Sequence, residues 1–414
     1  MRLTRLYLPL VLLATLTTGA GAQSPSVPHE QVELLRAVAN APALNAAARR
    51  TTAARERIDA AGRLADVEVE GMGSRMVGPM NERATMWEVS VRQPLPKRGE
   101  RAADRERARA VVAMSDADYA LMAGEMAANT AMALAEAEGA NARIRLLETQ
   151  VGRLDAVLRS IEARIASGGG RLADRLTVQS RVASMQLMIE EERRMAADAL
   201  AEARGRLGLS PEAPLPSFAA PTVVDIKADE AAAVRLAAAR TEEANAMVKM
   251  ARASANPMTS VGVRFENERR AMGDENTLGL AFMTEIPWRS RRYARAEVRA
   301  AEADRAAAQT DATATRYRIS SALTRVDRAE RLAATARRLS RETLARLNAE
   351  FDSMIRSAGV GTPMGESTIL QTVEILEKST DTEIQVIRAD TAVRTARAEL
   401  WRYMPASQFQ KANN

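Results

Sequence analysis

The segment "WEVSVRQPLPKRGERAADRERARA", Trp87 to Ala110, alternates apolar and polar residues as far as Gln93, passes Pro94 and Pro96, and then becomes arginine-studded and alanine-rich. A period of two marks a strand with one apolar face, and the Ala/Arg/Glu run that follows is helix-forming. About half a chain later "LGLAFMTEIPWRSRRYARAEVRAAEA", Leu278 to Ala303, makes the same change at Pro287. Pro96 and Pro287 are 191 residues apart, and the same offset carries Arg49 onto Arg240, Ala60 onto Ala251 and Arg98 onto Arg289. The chain reads as a tandem duplication.

Each half has the same order of parts. A helix, roughly Glu30 to Gly62 or Ala228 to Ala255, leads into a strand pair, and the proline then opens a much longer helix. The strands alternate cleanly, with Val67, Val69, Trp87, Val89 and Val91 against Glu68, Glu70, Glu88, Ser90 and Arg92 in the first half. In the second, Val261, Val263, Phe265, Leu278, Leu280 and Phe282 oppose Ser260, Gly262, Arg264, Glu266, Thr277, Gly279 and Ala281. The connections "RMVGPMNERA" and "NERRAMGDEN" read as polar loops, so two hairpins are expected at about 64–93 and 258–285.

After Pro96 no proline occurs before Ser167, and Gly99, Gly124, Gly139 and Gly152 are the weak points of a rod roughly 100 Å long. Leu147, Val151, Leu154, Leu158, Ile161 and Ile165 repeat at alternating spacings of four and three, a narrow coiled-coil seam. The rod stops at "SGGGRLAD", Ser167 to Asp174, where Asp174 is placed to cap a returning helix. A Gly/Pro-rich linker, 208–221, joins the halves. In the second half Leu344, Leu347, Phe351 and Met354 lead to the turn "SAGVGTPMGES", and Ile369, Val373 and Leu376 return. The division is a leader at 1–22, a first repeat at 23–220 with its tip at 167–174, a second at 221–405 with its tip at 357–366, and a polar tail at 406–414.

Composition agrees with rods. Apolar residues make up 46% but aromatics only 3%, so alanine supplies the apolar surface and lets helices pack closely. Arg2 and Arg5, the apolar run Leu6 to Leu16 and Ala20-Gly21-Ala22 form a secretory leader, and no later segment is apolar enough for a spanning helix. Without that leader the formal charge of +6 becomes +4, too balanced for a nucleic-acid partner. With no cysteine there is neither a disulfide framework nor a lipid-modifiable thiol. His29 is the only histidine, so no His-based triad or metal cluster exists, and the chain reads as a non-enzyme without cofactor. Met72, Met76, Met80 and Met86 crowd the first hairpin, but the twenty methionines are scattered fillers, and no metal ligand is assigned.

The junction "VSVRQPLPKRGERAADRERA" and the linker "LAEARGRLGLSPEAPL", in this twice-repeated order, resemble the TolC-like outer-membrane efflux protein family. The Lys-Arg-Gly cluster after Pro96 leans toward its CzcC-like heavy-metal branch. Four strands cannot close a barrel, and an open sheet in lipid would leave backbone groups unpaired. The resemblance therefore implies a mainly α fold of long coiled-coil hairpins, three copies of which share a twelve-stranded outer-membrane β-barrel continued by a helical tube in the periplasm. Pro96 and Pro287 become strand-to-helix junctions where the chain leaves the membrane. Trp87, Val89, Val91, Val263, Phe265, Leu280 and Phe282 face lipid. Gly168, Gly169, Gly170, Asp174, Gly359, Gly361 and Glu366 form the periplasmic tips, where glycines leave room and free amides for a partner.

The implied function is the passive exit duct of a tripartite efflux system, serving a periplasmic adaptor and an inner-membrane pump of the RND type, with heavy-metal ions or small toxic compounds as cargo. A type I secretion channel is the alternative. A periplasmic adaptor is a further competitor, although adaptors carry one hairpin and more strand.

Overall fold

A computed structural model describes residues 29–77, 83–217, 223, 226–270, 273–286, 291–359 and 366–405. The expected leader, the 406–414 tail, Pro287 and Gly361 lie outside them. Helices α1 (His29–Ala39) and α2 (Pro42–Ala60) precede strands β1 (Glu68–Val77) and β2 (Arg83–Leu95). Helix α3 (Glu100–Ala166) and its return α4 (Leu172–Leu207) follow, and the second half repeats the plan. It comprises α5 (Ala232–Ser254), β3 (Met258–Arg270), β4 (Gly273–Glu285), α6 (Arg291–Gly359) and α7 (Glu366–Glu399), and ends in a 3-10 turn, Leu400–Tyr403.

The first helix is not continuous. Pro42 cannot donate into a preceding turn, so the chain breaks at Asn40 and Ala41, and Pro42 occupies the first turn of α2. The connections inside the hairpins are also shorter than the polar sequence suggested. β1 runs to Val77 and β3 to Arg270, because Arg75, Glu268 and Arg269 sit on exposed strands where polarity carries no penalty.

The two hairpins are one sheet. β2 and β3 pair antiparallel from Thr85↔Arg269 to Leu95↔Thr259, giving the order β1-β2-β3-β4. Below it, α3 packs on α2 and α5 near the strands and on α4 and α7 farther away. At about 1.5 Å per residue, the 67 residues of α3 span roughly 100 Å.

Two main cores hold the rods. The distal one takes Leu154 and Ile161 from α3, Val178 and Met185 from α4, Phe351 from α6, and Ile369, Val373 and Leu376 from α7, so most of the expected seams meet in one four-helix layer, while Leu147 packs in a separate cluster with Ile189 and Ile384. Arg153 ties α3 to α6 there, donating to Asn348 Oδ1 at 3.2 Å and lying 5.7 Å from the Phe351 ring centre. The mid-length core gathers Leu34, Leu44, Ala127, Ile319, Leu400 and Trp401 from both ends of the chain. Gly124 and Gly139 are not weak points but contact sites. A Cβ on Gly124 would lie 2.9 Å from the Trp401 carbonyl oxygen, and one on Gly139 would collide with Thr391 Oγ1.

Candidate functional site: the sheet faces and the hairpin tips

The register assigns every strand residue to a face. Val69↔Val91↔Val263↔Leu280 form one row, Gly71↔Val89↔Phe265↔Leu278 the next, and Val261↔Phe282 lies toward the helices. Trp87 shares this face, its ring 5.1 Å from that of Phe265. All seven residues assigned to lipid from the sequence therefore stand on one side of the sheet. Among the described residues nothing buries this face: Leu280 is 92% exposed, Phe282 72% and Val263 45%. In soluble proteins, contiguous exposed apolar surfaces of this kind mark protein–protein or membrane interaction sites, ligand grooves or aggregation-prone patches.

The opposite face is charged. Its rows run Glu68↔Arg92↔Gly262↔Ala281, Glu70↔Ser90↔Arg264↔Gly279 and Met72↔Glu88↔Glu266↔Thr277. Arg92 pairs with Glu70, and Arg264 pairs with Glu88 at 2.5 Å and with Glu266 at 3.8 Å. Arg92–Glu70 and Arg264–Glu88 are cross-strand pairs between rows, which no single-strand pattern reveals, whereas Arg264–Glu266 lies within β3. Ser90, between Glu70 and Arg264 in the register, is only 7% exposed, although the alternation alone presented it as an open polar position.

At the foot of the sheet the junction differs from expectation. Pro96 does not open the helix: β2 ends at Leu95, residues 96–99 turn, and α3 starts at Glu100 after Gly99 at φ +87°. Glu100 reaches back to accept from the Lys97 backbone N–H at 2.8 Å, satisfying a donor at the helix start. The turn is tied to its neighbours. Arg101 Nε donates to the Gly62 carbonyl at 2.6 Å, Lys97 Nζ to the Ser254 carbonyl at 3.0 Å, and Asn256 Nδ2 to the Arg98 carbonyl at 2.9 Å. The ends of α2, α3 and α5 are thereby fixed at one level.

At the first tip, two of the three glycine amides are not free for a partner. Gly168, at φ +81°, donates to the Ile165 carbonyl at 3.1 Å and Gly169 to the Arg164 carbonyl at 2.9 Å, closing the end of α3. A Cβ on Gly170 would lie 2.7 Å from the Ile165 nitrogen, whereas one on Gly169 meets nothing within 4 Å. Asp174 is not the cap either: Arg171 occupies that position, and Asp174 lies inside the first turn of α4. There its carboxylate still suits the positive end of the helix. At the second tip Gly359 ends α6 and Glu366 begins α7.

Among the described residues no helix is long and apolar enough to cross a membrane. Residues 34–208 match the family model described as outer membrane efflux protein. No curated protein matches the chain. Solved structures resemble it over nearly its whole length. A membrane protein from Pseudomonas aeruginosa superposes with TM-score 0.72 at 20% identity, covering 92% of this chain and 91% of that one. CusC does so at 0.69 and 16%, covering 90% and 91%. The outer membrane protein VceC of Vibrio cholerae gives 0.69 and 14%, covering 88% and 95%. The chain thus has the fold of these membrane proteins, and its residues 34–208 carry the sequence pattern of outer membrane efflux proteins.

Proposed function

We propose that the chain is the outer-membrane exit duct of a tripartite efflux system. It works as a homotrimer whose twelve strands close a barrel in outer-membrane lipid and whose helices form a periplasmic tube. One observation carries the reading: an uncovered apolar sheet face, backed by a charged face, stands at the end of long packed helices. Apolar-out and polar-in alternation is what a lipid-embedded, water-filled barrel requires. The family pattern over 34–208 and the shared fold support it.

In this reading the duct performs no chemistry, needs no cofactor and engages no nucleic acid. An adaptor docks at the tips, and an inner-membrane pump, of the RND type, supplies the driving force. Heavy-metal ions are the proposed cargo, on the sequence lean of the Lys97-Arg98-Gly99 cluster.

The test compares the two faces. Val89→Arg puts a charge on the apolar face and should cost about 2–4 kcal/mol per copy near mid-membrane, lowering the heat-modifiable trimer in the outer-membrane fraction. Thr277→Arg puts the same charge on the other face, opposite Glu266, and should leave that yield unchanged. Equal yields, or wild-type chain found as a monomer in the soluble periplasmic extract, would overturn the proposal.

A further inference from the structure

The protomer is an open strip with two different sides. Among the described residues β1 pairs only with β2 and β4 only with β3. The helices below continue the order: α2 packs on α3, α3 on α5, and α5 on α6. One side of the strip is therefore α2 with β1, and the other is β4 with α6. Two unlike sides meet head to tail, and such contacts generate a ring where the rotation between copies closes.

The free side of α6 is marked by its charges. Ala294 is buried and Glu297 lies 3.5 Å from Ser254 Oγ, so this side of α6 faces α5. By the helical period Arg292, Arg295 and Arg299 lie on the opposite side, exposed, followed by the small exposed residues Ala303 and Ala306. Helix α2 packs inward through Leu44, Ala47, Thr51 and Ala54, while Glu56 and Asp59 are exposed. None of these five charged side chains has a partner among the described residues.

Each set is misplaced in its own helix. Arginines crowd the positive N-terminal end of α6, whose first turn holds no acid, and carboxylates sit near the negative C-terminal end of α2. Set side by side, the antiparallel pair reverses both faults. The depths agree: Glu56 lies four residues before the end of α2 and Arg295 four residues after the start of α6, about 6 Å from their strand-side ends in both cases.

We infer that the α6 side of one copy docks on the α2 side of a second copy of this chain, with Arg295 meeting Glu56 and Arg292 meeting Asp59, while β4 of the first pairs with β1 of the second. This rests on the channel reading and adds the residues that select which edges meet. The same like-charge logic disfavours α6 against α6, so the closure is directional.

A charge swap tests it. Arg292→Glu with Arg295→Glu should lower the outer-membrane trimer by about tenfold or more, and so should Glu56→Arg with Asp59→Arg. All four substitutions together should restore it. Unaffected yields in either double variant, or no restoration in the fourfold one, would overturn the pairing. Since the chain has no cysteine, a second measurement is clean. Glu56→Cys with Arg295→Cys in one chain, treated with a short bis-thiol reagent, should give covalent trimers, and either substitution alone should not. An assembled wild-type trimer whose double-cysteine variant stays unlinked sinks this inference and leaves the channel reading standing. A wild-type chain that forms no membrane trimer sinks the channel reading instead.

Discussion

The two helical arms share one plan and are held by different means. In the first, α3 and α4 are clasped by Arg143 and Glu192, whose guanidinium Nε and terminal nitrogen donate to the two carboxylate oxygens at 2.8 Å, with both side chains buried. In the second, ion pairs between α6 and α7 such as Arg397–Glu330, at 2.7 Å, lie at the surface. The buried polar groups of α7 are hydroxyls. Thr380 Oγ donates to the Leu376 carbonyl at 2.7 Å and Thr391 Oγ to that of Ile387 at 2.8 Å, each within its own helix. A bidentate bond between helices fixes their axial register, whereas a hydroxyl bonded four residues back fixes nothing across the interface. Among the described residues only the first arm holds a buried bidentate ion pair; in the second, Thr372 Oγ of α7 donates to Met354 Sδ of α6 at 3.4 Å, a weaker cross-helix contact.

The largest test of this contrast is Arg143→Met. It leaves Glu192 buried and unpaired and should destabilise the protein by about 3–5 kcal/mol, read as a lowered urea midpoint, while Arg143→Met with Glu192→Leu recovers most of the loss. Next is the contact between the arms at Gly139. Gly139→Ala drives a methyl into Thr391 and should cost about 1–3 kcal/mol by overpacking, relieved by adding Thr391→Ala. Arg397→Met, breaking a surface pair with Glu330 in the second arm, should shift the midpoint by less than about 1 kcal/mol. Should it match Arg143→Met, the arms are equivalent and the contrast fails. Smallest in stability is Gly169→Trp at the first tip, where a side chain meets open space. It should leave the unfolding curve in place and abolish export if the adaptor docks there. Gly170→Val is the unsuitable probe, because it strains the turn against Ile165 whatever docks.

Periodicity made the seams and strand faces legible. Leu147, Leu154 and Ile161 needed only a heptad count, and Val89 and Leu280 only alternation. What stayed hidden depended on partners far away in the chain. Gly139 looks like a helix defect until Thr391 is seen beside it, and Ser90 looks open until it is found buried between Glu70 and Arg264 in the register. Arg143 and Glu192 were indistinguishable from the many solvated charges of Ala-rich helices, since burial rather than spacing sets them apart. The pairing of β2 with β3, which merges the halves, has no local signal at all.

The mid-length core has a consequence in time. It joins Leu34 and Val38, near the start of the chain, to Trp401 and Met404, near its end, and an isolated bridge sets Ala231 against Pro405. Leu34, Leu35 and Val38 complete their packing only when Trp401 and Met404, far later in the sequence, reach them. Contacts so distant in sequence form slowly, and the apolar surface left open meanwhile is open to proteases and to other unfinished copies. A truncation of only the last turn, Leu400–Tyr403, therefore withholds the closing piece from the first helix as much as from the last. The vulnerable period in this molecule's life is the interval before α1 meets the Leu400–Tyr403 turn.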